Sequence, residues 1–377
     1  MLFKMANLTN PETYDNFHTT NDYIEVAVLA TLFLIGFPVN IYALRKLLIT
    51  QKSGPKSKFN LLKLHLNVSD IMVLLIYCCS EIAWILSFWW LANDFLCRLV
   101  KFLQVLSFYI SSNVIVCIAL DRALTVHRLR HISSSDKSYL RICKWLGVAW
   151  FLAIACALPQ AYVWQIDEYM AGYYQCTTIW YARRYEFCIR QAYQYNSTNT
   201  KCTPEDYGQL EETAYTSFHI ISVFWLPAVI AVVLYIFIIY ALVVRRVQQK
   251  RSTHIPIEVC PPSLCTDYNA TYEMVPLSSF ADGDSTASVC PERSAVLAQR
   301  QRNKPAWQKH FTSRTLKQAV LLLSAYFACW LPYNFLCLWQ LFDPDSFVDM
   351  AVGIQYLEVL IILNAVINPF MYKYTKR

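Results

Sequence analysis

The sequence predicts an all-α membrane protein, a seven-transmembrane helix bundle whose N-terminus lies outside the cell. Three observations predict this fold class. Of the 377 residues, 56% are hydrophobic and only 16% are charged, whereas soluble domains carry about 25% charged residues. Aromatic residues make up 15% of the chain, and aromatic residues are enriched at membrane interfaces. Long apolar segments also occur seven times, separated by polar or charged connections.

Each apolar segment is long enough to cross a membrane as a helix. A hydrocarbon core of about 30 Å needs about 20 helical residues. Helices satisfy every backbone polar group within one segment, whereas barrel strands would be about 10 residues long with alternating polarity. The seven segments are Ile24–Ile49, Leu61–Phe88, Leu99–Val126, Leu140–Trp164, Ala214–Val244, Leu316–Phe342 and Phe347–Tyr372.

The distribution of charge predicts the orientation of these helices. Lys and Arg are concentrated in the connections after the first, third and fifth segments and at the C-terminus, as Arg45, Arg245 and Lys373 illustrate. Such connections lie in the cytosol by the positive-inside rule, so seven crossings place the N-terminus outside. The sequons at Asn7 and Asn196 fall on the predicted outer side and are expected glycosylation sites.

Four stretches follow from this arrangement. Residues 1–23 are expected to form an extracellular tail, and residues 24–244 to contain helices 1–5 with their loops. Residues 245–313 form a long cytosolic loop, expected to be largely disordered because six prolines occur there among Ser, Thr and acidic residues. Residues 314–377 contain helices 6 and 7 and a very short C-terminus.

Missing motifs exclude several classes of function. The chain contains neither GxGxxG nor GxxxxGK[ST], so no nucleotide site is expected. Its 14 Cys lack CxxC spacing and its His residues are dispersed, so we expect neither a zinc site nor an enzyme. The basic residues flank the membrane segments, which predicts a partner in membrane lipid and none in nucleic acid. A membrane transporter would need inverted repeats or a charged pathway, and remains an alternative.

Five polar residues lie at membrane depth, where such residues are costly and usually functional, and one of them is Asn40 in the first segment. Asp70 lies in the second segment, Ser111 in the third, and Asn364 and Asn368 in the seventh. Their oxygens suit an allosteric sodium ion. The same residues would also suit a hydrogen-bond network that joins the helices, and the sequence leaves both interpretations open. No other cofactor is expected.

A polar stripe on the third segment predicts the face that it turns inward. At 100° per residue, Gln104, Ser111 and Arg122 fall within about 20° of each other. Lys101 lies one turn before Gln104. Cys97 precedes Arg122 by 25 residues, about 37 Å of helix, so these two residues are predicted to lie at opposite membrane surfaces.

Short motifs occur in a fixed order on the seven segments. They are Asn40, Leu66-Asn67-Val68-Ser69-Asp70, Cys97, Asp121-Arg122-Ala123, Trp150, Pro227, Tyr235, Cys329-Trp330-Leu331-Pro332 and Asn368-Pro369-Phe370-Met371-Tyr372. Taken together, these motifs resemble those of rhodopsin-like G-protein-coupled receptors. The resemblance implies a plasma-membrane receptor that activates a heterotrimeric G protein. Two departures are Ala123, where a Tyr is usual, and Thr312, where some members carry an acid that pairs with the arginine.

A narrower resemblance concerns two groups of peptide receptors. Residues 97–105, with the sequence CRLVKFLQV, are similar to the vasopressin and oxytocin receptors. Pro159-Gln160, Asp121-Arg122-Ala123-Leu124 and the stretch from Trp330 to Asp343 resemble the gonadotropin-releasing-hormone and adipokinetic-hormone receptors, the side that we favour. This resemblance implies a short, C-terminally amidated peptide as ligand and a Gq-type G protein. A non-peptide ligand is the alternative.

The ligand site implied by the resemblance opens outward between helices 2, 3, 6 and 7. Two acids, one Lys and one amide facing a cavity suit a peptide with backbone amides and a basic side chain. Alternatively, Glu81 or Glu358 pairs with Lys101 and holds the empty cavity together. The candidate ligand-binding residues are Glu81, Lys101, Gln104, Tyr333, Asn334 and Glu358.

The resemblance also implies a switch and a disulfide. Ligand pressing on Trp330, close to the kink expected at Pro332, would favour outward movement of helix 6. Cys97 is expected to pair with Cys176 in the oxidising exterior. Cys188 and Cys202 allow a second bridge, whose connectivity the sequence does not determine. The expected switch and coupling residues are Asp121, Arg122, Tyr235, Trp330, Pro332, Asn368, Pro369 and Tyr372.

Overall fold

The computed structural model describes residues 18, 20–53, 57–127, 135–170, 172–195, 208–253, 306–342 and 359–373. The chain divides into two compact units. The first comprises Met1–Ile239 and Thr315–Arg377 and contains the helix bundle. The second, Tyr240–Arg314, contains the last turns of one bundle helix and the first turns of the next.

The described residues form eight helices and one two-stranded hairpin. Two of the helices, α2 and α6, each contain a π-helical turn, at Val73–Cys78 and Ile221–Trp225 respectively. The elements in chain order are α1 (Thr20–Ser53), α2 (Lys58–Ser87), α3 (Asp94–His127), α4 (Ser135–Val163), β1 (Trp164–Met170), β2 (Tyr173–Thr178), α5 (Ile179–Tyr195), α6 (Gln209–Ile220, Ile221–Trp225 and Leu226–Thr253), α7 (Ala306–Phe342) and α8 (Val359–Lys373).

The prediction of seven apolar helices is confirmed. Six helices are long and apolar enough to cross a membrane, and α8 contributes a shorter apolar stretch at Val359–Tyr372. The predicted start of the seventh segment, Phe347, lies outside the described residues. The connection predicted at residues 245–313 is shorter in the structure, because α6 continues to Thr253 and α7 begins at Ala306.

Helix starts extend beyond the predicted ones because polar first turns carry no hydropathy signal. The third segment was predicted from Leu99, yet α3 begins at Asp94. Oδ1 of Asn93 accepts the backbone N–H of Leu96 at 2.9 Å, which satisfies one of the free amide donors at a helix N-terminus. A helix cap of this kind therefore sets the boundary.

The π turn in α2 changes which neighbour each of its acids meets. In an unbroken α-helix, eleven residues would bring Glu81 within about 20° of Asp70. One extra residue in a π turn rotates everything after it by roughly 100°. Asp70 consequently contacts Asn368 of α8, whereas Glu81 contacts Lys101 of α3.

A β-hairpin and a helix were not anticipated between α4 and α6. β1 and β2 pair antiparallel, with Ile166 opposite Cys176, and Gly172 at the turn has a φ of 84°, which glycine adopts without strain. Helix α5 follows directly after β2. The connection that the sequence treated as one outer loop is therefore a folded structure.

The core of the bundle contains buried amides that join three helices. Nδ2 of Asn40 donates to the carbonyl oxygens of Gly36 at 2.9 Å and Ala365 at 3.0 Å. Nδ2 of Asn67 donates to Oδ1 of Asn40 at 2.6 Å. Because hydrocarbon offers no competing partner, such bonds connect α1, α2 and α8 where they cross.

Gly36 lies at the close approach of the same three helices. A Cβ at this position would lie 2.7 Å from Cγ2 of Val366 and 3.0 Å from Cδ1 of Leu74. Gly147 of α4 is the contrasting case, because a Cβ there would meet no atom within 4 Å. The two glycines therefore form a matched pair, one with packing against neighbouring helices and one without.

We expect Gly36→Ala to lower the thermal unfolding temperature of the purified protein. Alanine favours a helix over glycine by about 1 kcal/mol, but forcing a methyl group into packed neighbours costs about 1–3 kcal/mol. Gly147→Ala should raise the unfolding temperature or leave it unchanged. An unfolding temperature for Gly36→Ala at or above that of Gly147→Ala would contradict this interpretation of the packing.

Candidate functional site

The disulfide predicted from the resemblance is present: Cys97 of α3 is bonded to Cys176 of β2, and both residues are buried. The neighbouring Gln175 ties the same strand to α2. Its Oε1 accepts Nε1–H of Trp84 at 2.9 Å, and its Nε2 donates to the carbonyl of Phe88 at 2.7 Å. We call this end of the bundle the disulfide end, and the opposite end the Arg122 end.

A cavity of about 330 Å³ lies among the helices and the hairpin. Its volume is within the range of small-ligand sites, about 300–1,000 Å³. Four of the six predicted ligand residues line it. These four are Glu81, Lys101, Gln104 and Tyr333.

The other two predicted ligand residues do not line this cavity. Asn334 is fully buried, and its Nδ2 donates to the carbonyl of Trp330 at 2.9 Å, one turn back on α7. That bond spans four residues near Pro332, so the amide serves the backbone of its own helix. Glu358 lies outside the described residues.

A buried ion pair forms part of the cavity wall. Nζ of Lys101 lies 3.0 Å from Oε1 of Glu81, and both side chains are 9% exposed. The ammonium also lies 4.4 Å from the ring centroid of Trp84 and 4.8 Å from that of Trp164. Aromatic faces attract a desolvated cation. Of the two sequence-based alternatives, the pairing of Lys101 with Glu81 is therefore the arrangement in this structure.

Gln104 presents an acceptor to the cavity because its donors are already used. Its Nε2 donates to Oγ of Ser80 at 2.8 Å and to Oε1 of Glu81 at 3.0 Å. A carboxylate oxygen only accepts, which identifies the nearer amide atom as nitrogen. The amide carbonyl of Gln104 therefore remains available to a ligand. Because a carbonyl oxygen only accepts hydrogen bonds, the matching ligand group is a donor.

The stripe predicted on α3 is confirmed, since Gln104, Ser111 and Arg122 are all buried.

Sequence reasoning missed His219, a polar residue that lines the cavity, and the tyrosine behind it. The hydroxyl of Tyr109 bonds Oγ of Ser222 at 2.7 Å and lies 3.4 Å from Nδ1 of His219. The sequence offered only helical spacing as a signal for Tyr109. Tyr109 lies five residues after Gln104, about 140° around the helix from the predicted inner stripe, so this spacing did not point to the cavity.

The cavity wall continues into α5 and α6, which were also not anticipated as site elements. Trp180 and Glu212 line the cavity. The guanidinium of Arg184 binds Glu212, and Nε1 of Trp180 donates to Glu211 at 3.2 Å. These contacts join α5 to the first turn of α6. Contacts between α5 and α6 therefore form one side of the cavity wall.

Aromatic rings connect the cavity with the middle of the bundle. Trp330 lines the cavity and stacks on Phe224 with an interplanar angle of 4°. Phe108 and Tyr326 contact the same indole at ring-centroid distances of 5.5 Å each. The hydroxyl of Tyr326 donates to Oγ of Ser112 at 3.0 Å. Trp330 is 2% exposed, so a shift of its ring must move its neighbours.

Asp70 occupies a polar centre beyond the aromatic rings. Nδ2 of Asn368 donates to both carboxylate oxygens, at 3.0 and 3.1 Å. The oxygens of Ser111, Asn364 and Asn368 are buried without a hydrogen-bond partner among the described residues. The Asp70 carboxyl and the buried, unpaired oxygens on α3 and α8 are the kind of ligand atoms that a small hard cation prefers.

At the Arg122 end, Asp121, Arg122 and Tyr235 are buried, and Tyr372 is half-buried. The Arg122 guanidinium binds Asp121, and Nζ of Lys58 lies 3.3 Å from Oδ1 of Asp121. The hydroxyls of Tyr235 and Tyr372 have no hydrogen-bond partner in the described part of the chain. Residues 311–315 of α7 have no described side chains, so the contribution of Thr312 lies outside the described structure.

One amide closes the Arg122 end between two helices. Nε2 of Gln318 in α7 donates to the carbonyl oxygens of Met371 at 3.2 Å and Tyr372 at 2.8 Å in α8. Gln318 is 3% exposed. Movement of α7 away from α8 must break both bonds.

Some predicted features lie beyond the described side chains. They are the second bridge between Cys188 and Cys202 and the glycosylation sites at Asn7 and Asn196. In the described part of this region, outside the membrane helices, burial raises the pKa of Asp167 in β1, and the carboxylate of Glu186 on α5 raises it further.

Comparison with known proteins identifies similar sequences that are all seven-transmembrane or G-protein-coupled receptors by name or family. The family described as "7 transmembrane receptor (rhodopsin family)" matches residues 39–372. The G-protein coupled receptor daf-38 of Caenorhabditis elegans is 31% identical over 93% of this chain and 88% of its own length. The vasopressin V1b receptor of Mus musculus is 23% identical over 93% of this chain and 71% of its own. The gonadotropin-releasing hormone II receptor of Chlorocebus aethiops is 26% identical over 93% and 74%.

Proposed function

This chain belongs to the rhodopsin family of seven-transmembrane receptors, and we propose that it binds a short, C-terminally amidated peptide and activates a heterotrimeric G protein. It is a receptor rather than an enzyme, and a multi-pass protein of the plasma membrane. In the proposed orientation the disulfide end faces the extracellular medium. The Arg122 end then faces the cytosol, in agreement with the positive-inside rule.

The polar wall of the cavity is the observation that carries this proposal. The carbonyl of Gln104 and the carboxylate of Glu81 are acceptors that face the same space. Peptide backbone N–H groups and a terminal carboxamide are donors without negative charge, so they complement such a wall. A free C-terminal carboxylate would add an acceptor and a negative charge beside these acceptors, and would leave the Gln104 carbonyl without a donor.

Relatives support a peptide as the class of ligand. The vasopressin V1b and gonadotropin-releasing hormone II receptors are named for peptide hormones. The residues that line the cavity include acids on distant helices, Glu25 on α1 and Glu212 on α6. A peptide with several polar groups would be able to meet more than one of them.

Signal transfer is proposed to run through Trp330 and α7. Pro332 removes a backbone hydrogen bond from this helix and makes it easier to bend. Ligand contacts that favour one position of Trp330 would favour outward movement of the cytosolic half of α7, with loss of the Gln318 bonds. The ligand shifts this equilibrium only by its difference in affinity for the two states. A G protein bound to the open state raises ligand affinity in return.

In the open state, Arg122, Tyr235 and Tyr372 would line a cleft for the G protein. Tyr235 and Tyr372 have buried, unbonded hydroxyls in the closed arrangement, and these would gain partners in the cleft. Asn368 and Pro369 precede Tyr372 on α8, where a proline can bend the helix that carries it. A Gq-type G protein is proposed from the resemblance to peptide-hormone receptors.

The proposed function is tested by GTP exchange in membranes that contain the full chain. A panel of short peptides would be compared, each as its C-terminal amide and as its free acid, with G proteins of different classes. We expect at least one amide to stimulate exchange on a Gq-type protein, and its acid to be weaker. Arg122→Ala should bind the same peptide but lose exchange. Stimulation by non-peptide ligands alone would contradict the proposal.

The cavity wall leads to a prediction about Gln104. We expect Gln104→Ala to weaken binding of the activating peptide by about tenfold or more, because an unpaired buried polar group costs about 1–3 kcal/mol and 1.4 kcal/mol is a factor of ten. Gln51→Ala, at the far end of α1, serves as the control and should bind normally. An unchanged dissociation constant for Gln104→Ala would mean that the peptide does not reach this depth.

An allosteric sodium ion at Asp70 is a second proposal. Asp70, Ser111, Asn364 and Asn368 would hold it through the carboxylate and the buried oxygens described above. Bound sodium would neutralise the carboxylate in the closed arrangement. It would therefore oppose any state in which these helices separate.

We expect sodium to lower the affinity of the wild-type receptor for its agonist, relative to N-methylglucamine at equal ionic strength. Asp70→Asn should abolish this sensitivity, because an amide carries no charge while its oxygen still accepts from Asn368. Affinity would be measured by radioligand competition without G protein. Equal affinity in both salts for the wild type would leave the polar centre as a hydrogen-bond network alone.

A further inference from the structure

The first turns of α2 make contacts at the Arg122 end that the proposed function does not use. The ring of Phe59 lies 4.6 Å from Cζ of the Arg122 guanidinium. Phe59 is 4% exposed and Arg122 is 5% exposed. The buried guanidinium therefore rests on an aromatic face while it also binds Asp121.

The same ring receives a second cation. Nζ of Lys63 lies 4.7 Å from the centroid of Phe59 and 5.8 Å from that of Tyr372. Lys63 is 8% exposed. Two buried cations, one from α2 and one from α3, thus share one phenyl ring. A desolvated cation gains more from an aromatic face than an exposed one, because water no longer competes.

We propose that Phe59 is a positioning residue which holds Arg122 in the inactive arrangement through a cation–π contact; this inference rests on the proposed function. A guanidinium that is 5% exposed cannot reach a G protein unless it moves. Movement toward a partner separates it from the Phe59 ring. The contact therefore exists in one state and not in the other, which is the condition for shifting their equilibrium.

Lys58 makes the geometry more specific. Its Nζ lies 3.3 Å from Oδ1 of Asp121, while the Arg122 guanidinium binds Oδ2 of the same carboxylate. Asp121 is thereby fixed from α2 on one side. Because Lys58 holds the Asp121 carboxylate, and this carboxylate binds Arg122, the guanidinium is kept in one position over the Phe59 ring.

The decisive experiment removes the attraction of the ring while keeping its shape. Phe59 would be replaced in the full-length receptor by phenylalanine carrying one, two or three ring fluorines, which progressively withdraw electron density from the face. GTP exchange without peptide would be measured in membranes, normalised to receptor number by radioligand binding. We expect a graded rise in basal exchange that reaches about tenfold for three fluorines, equivalent to about 1.4 kcal/mol.

Ordinary variants give the matched comparison. Phe59→Leu should raise basal exchange to a similar extent, whereas Phe59→Trp keeps an aromatic face and should stay close to the wild type. Phe33→Leu and the same fluorinated residues at Phe33 are the controls. Phe33 is a partly buried residue of α1 that stacks on Phe37 with ring centroids 5.2 Å apart. These controls should leave basal exchange unchanged.

The outcomes separate the inference from the proposed function. A flat or falling fluorine series in receptors that still respond to peptide would overturn the role of Phe59 and leave the proposed function standing. Lack of any peptide-stimulated exchange in the wild type would overturn both. If Phe59→Leu fails to fold, the fluorinated series decides, because it preserves the packing volume.

Discussion

A carboxylate buried between helices in hydrocarbon needs a partner, and in this protein α2 contributes to such a contact at three depths. Glu81 pairs with Lys101 of α3 at the disulfide end. Asp70 accepts two hydrogen bonds from Asn368 of α8 in the middle. Asp121 of α3 is held by Lys58 at the Arg122 end. Because an unpaired buried charge is so costly, these contacts fix how α2, α3 and α8 are rotated against each other.

The hairpin at the disulfide end contacts the Lys101–Glu81 pair through Trp84. Trp84 contacts the Lys101 ammonium with its ring and Gln175 with its N–H. A single side chain thus connects the ion pair in the cavity wall with the strand that carries Cys176. The hairpin is therefore more than a tethered loop, since its position and the polarity of the cavity depend on the same tryptophan.

The bundle has a cavity at one end and the Arg122 contacts at the other, and a cluster of aromatic rings lies between them. Trp330 belongs both to the cavity and to the cluster of Phe108, Phe224 and Tyr326. The closed Arg122 end is held by contacts that lie on different helices, the Gln318 bonds between α7 and α8 and the Phe59 ring beneath Arg122. Packed interiors switch between discrete arrangements rather than deforming smoothly, which suits a receptor with two states.

Features that depend on local sequence could be predicted. Hydropathy gave the seven segments, helical periodicity gave the buried stripe of Gln104, Ser111 and Arg122, and resemblance gave the Cys97–Cys176 bond. Only the tertiary structure decided which residues meet across helices. The π turn at Val73–Cys78 rotates Glu81 toward α3, and this choice selects an internal ion pair over a free lysine in the cavity. The contact of the β-hairpin with α2 and the Phe59 ring under Arg122 are further contacts of this kind. The physical reason is that hydrophobicity and periodicity act along one helix, whereas the pairing of charges depends on the relative rotation and spacing of several helices at once.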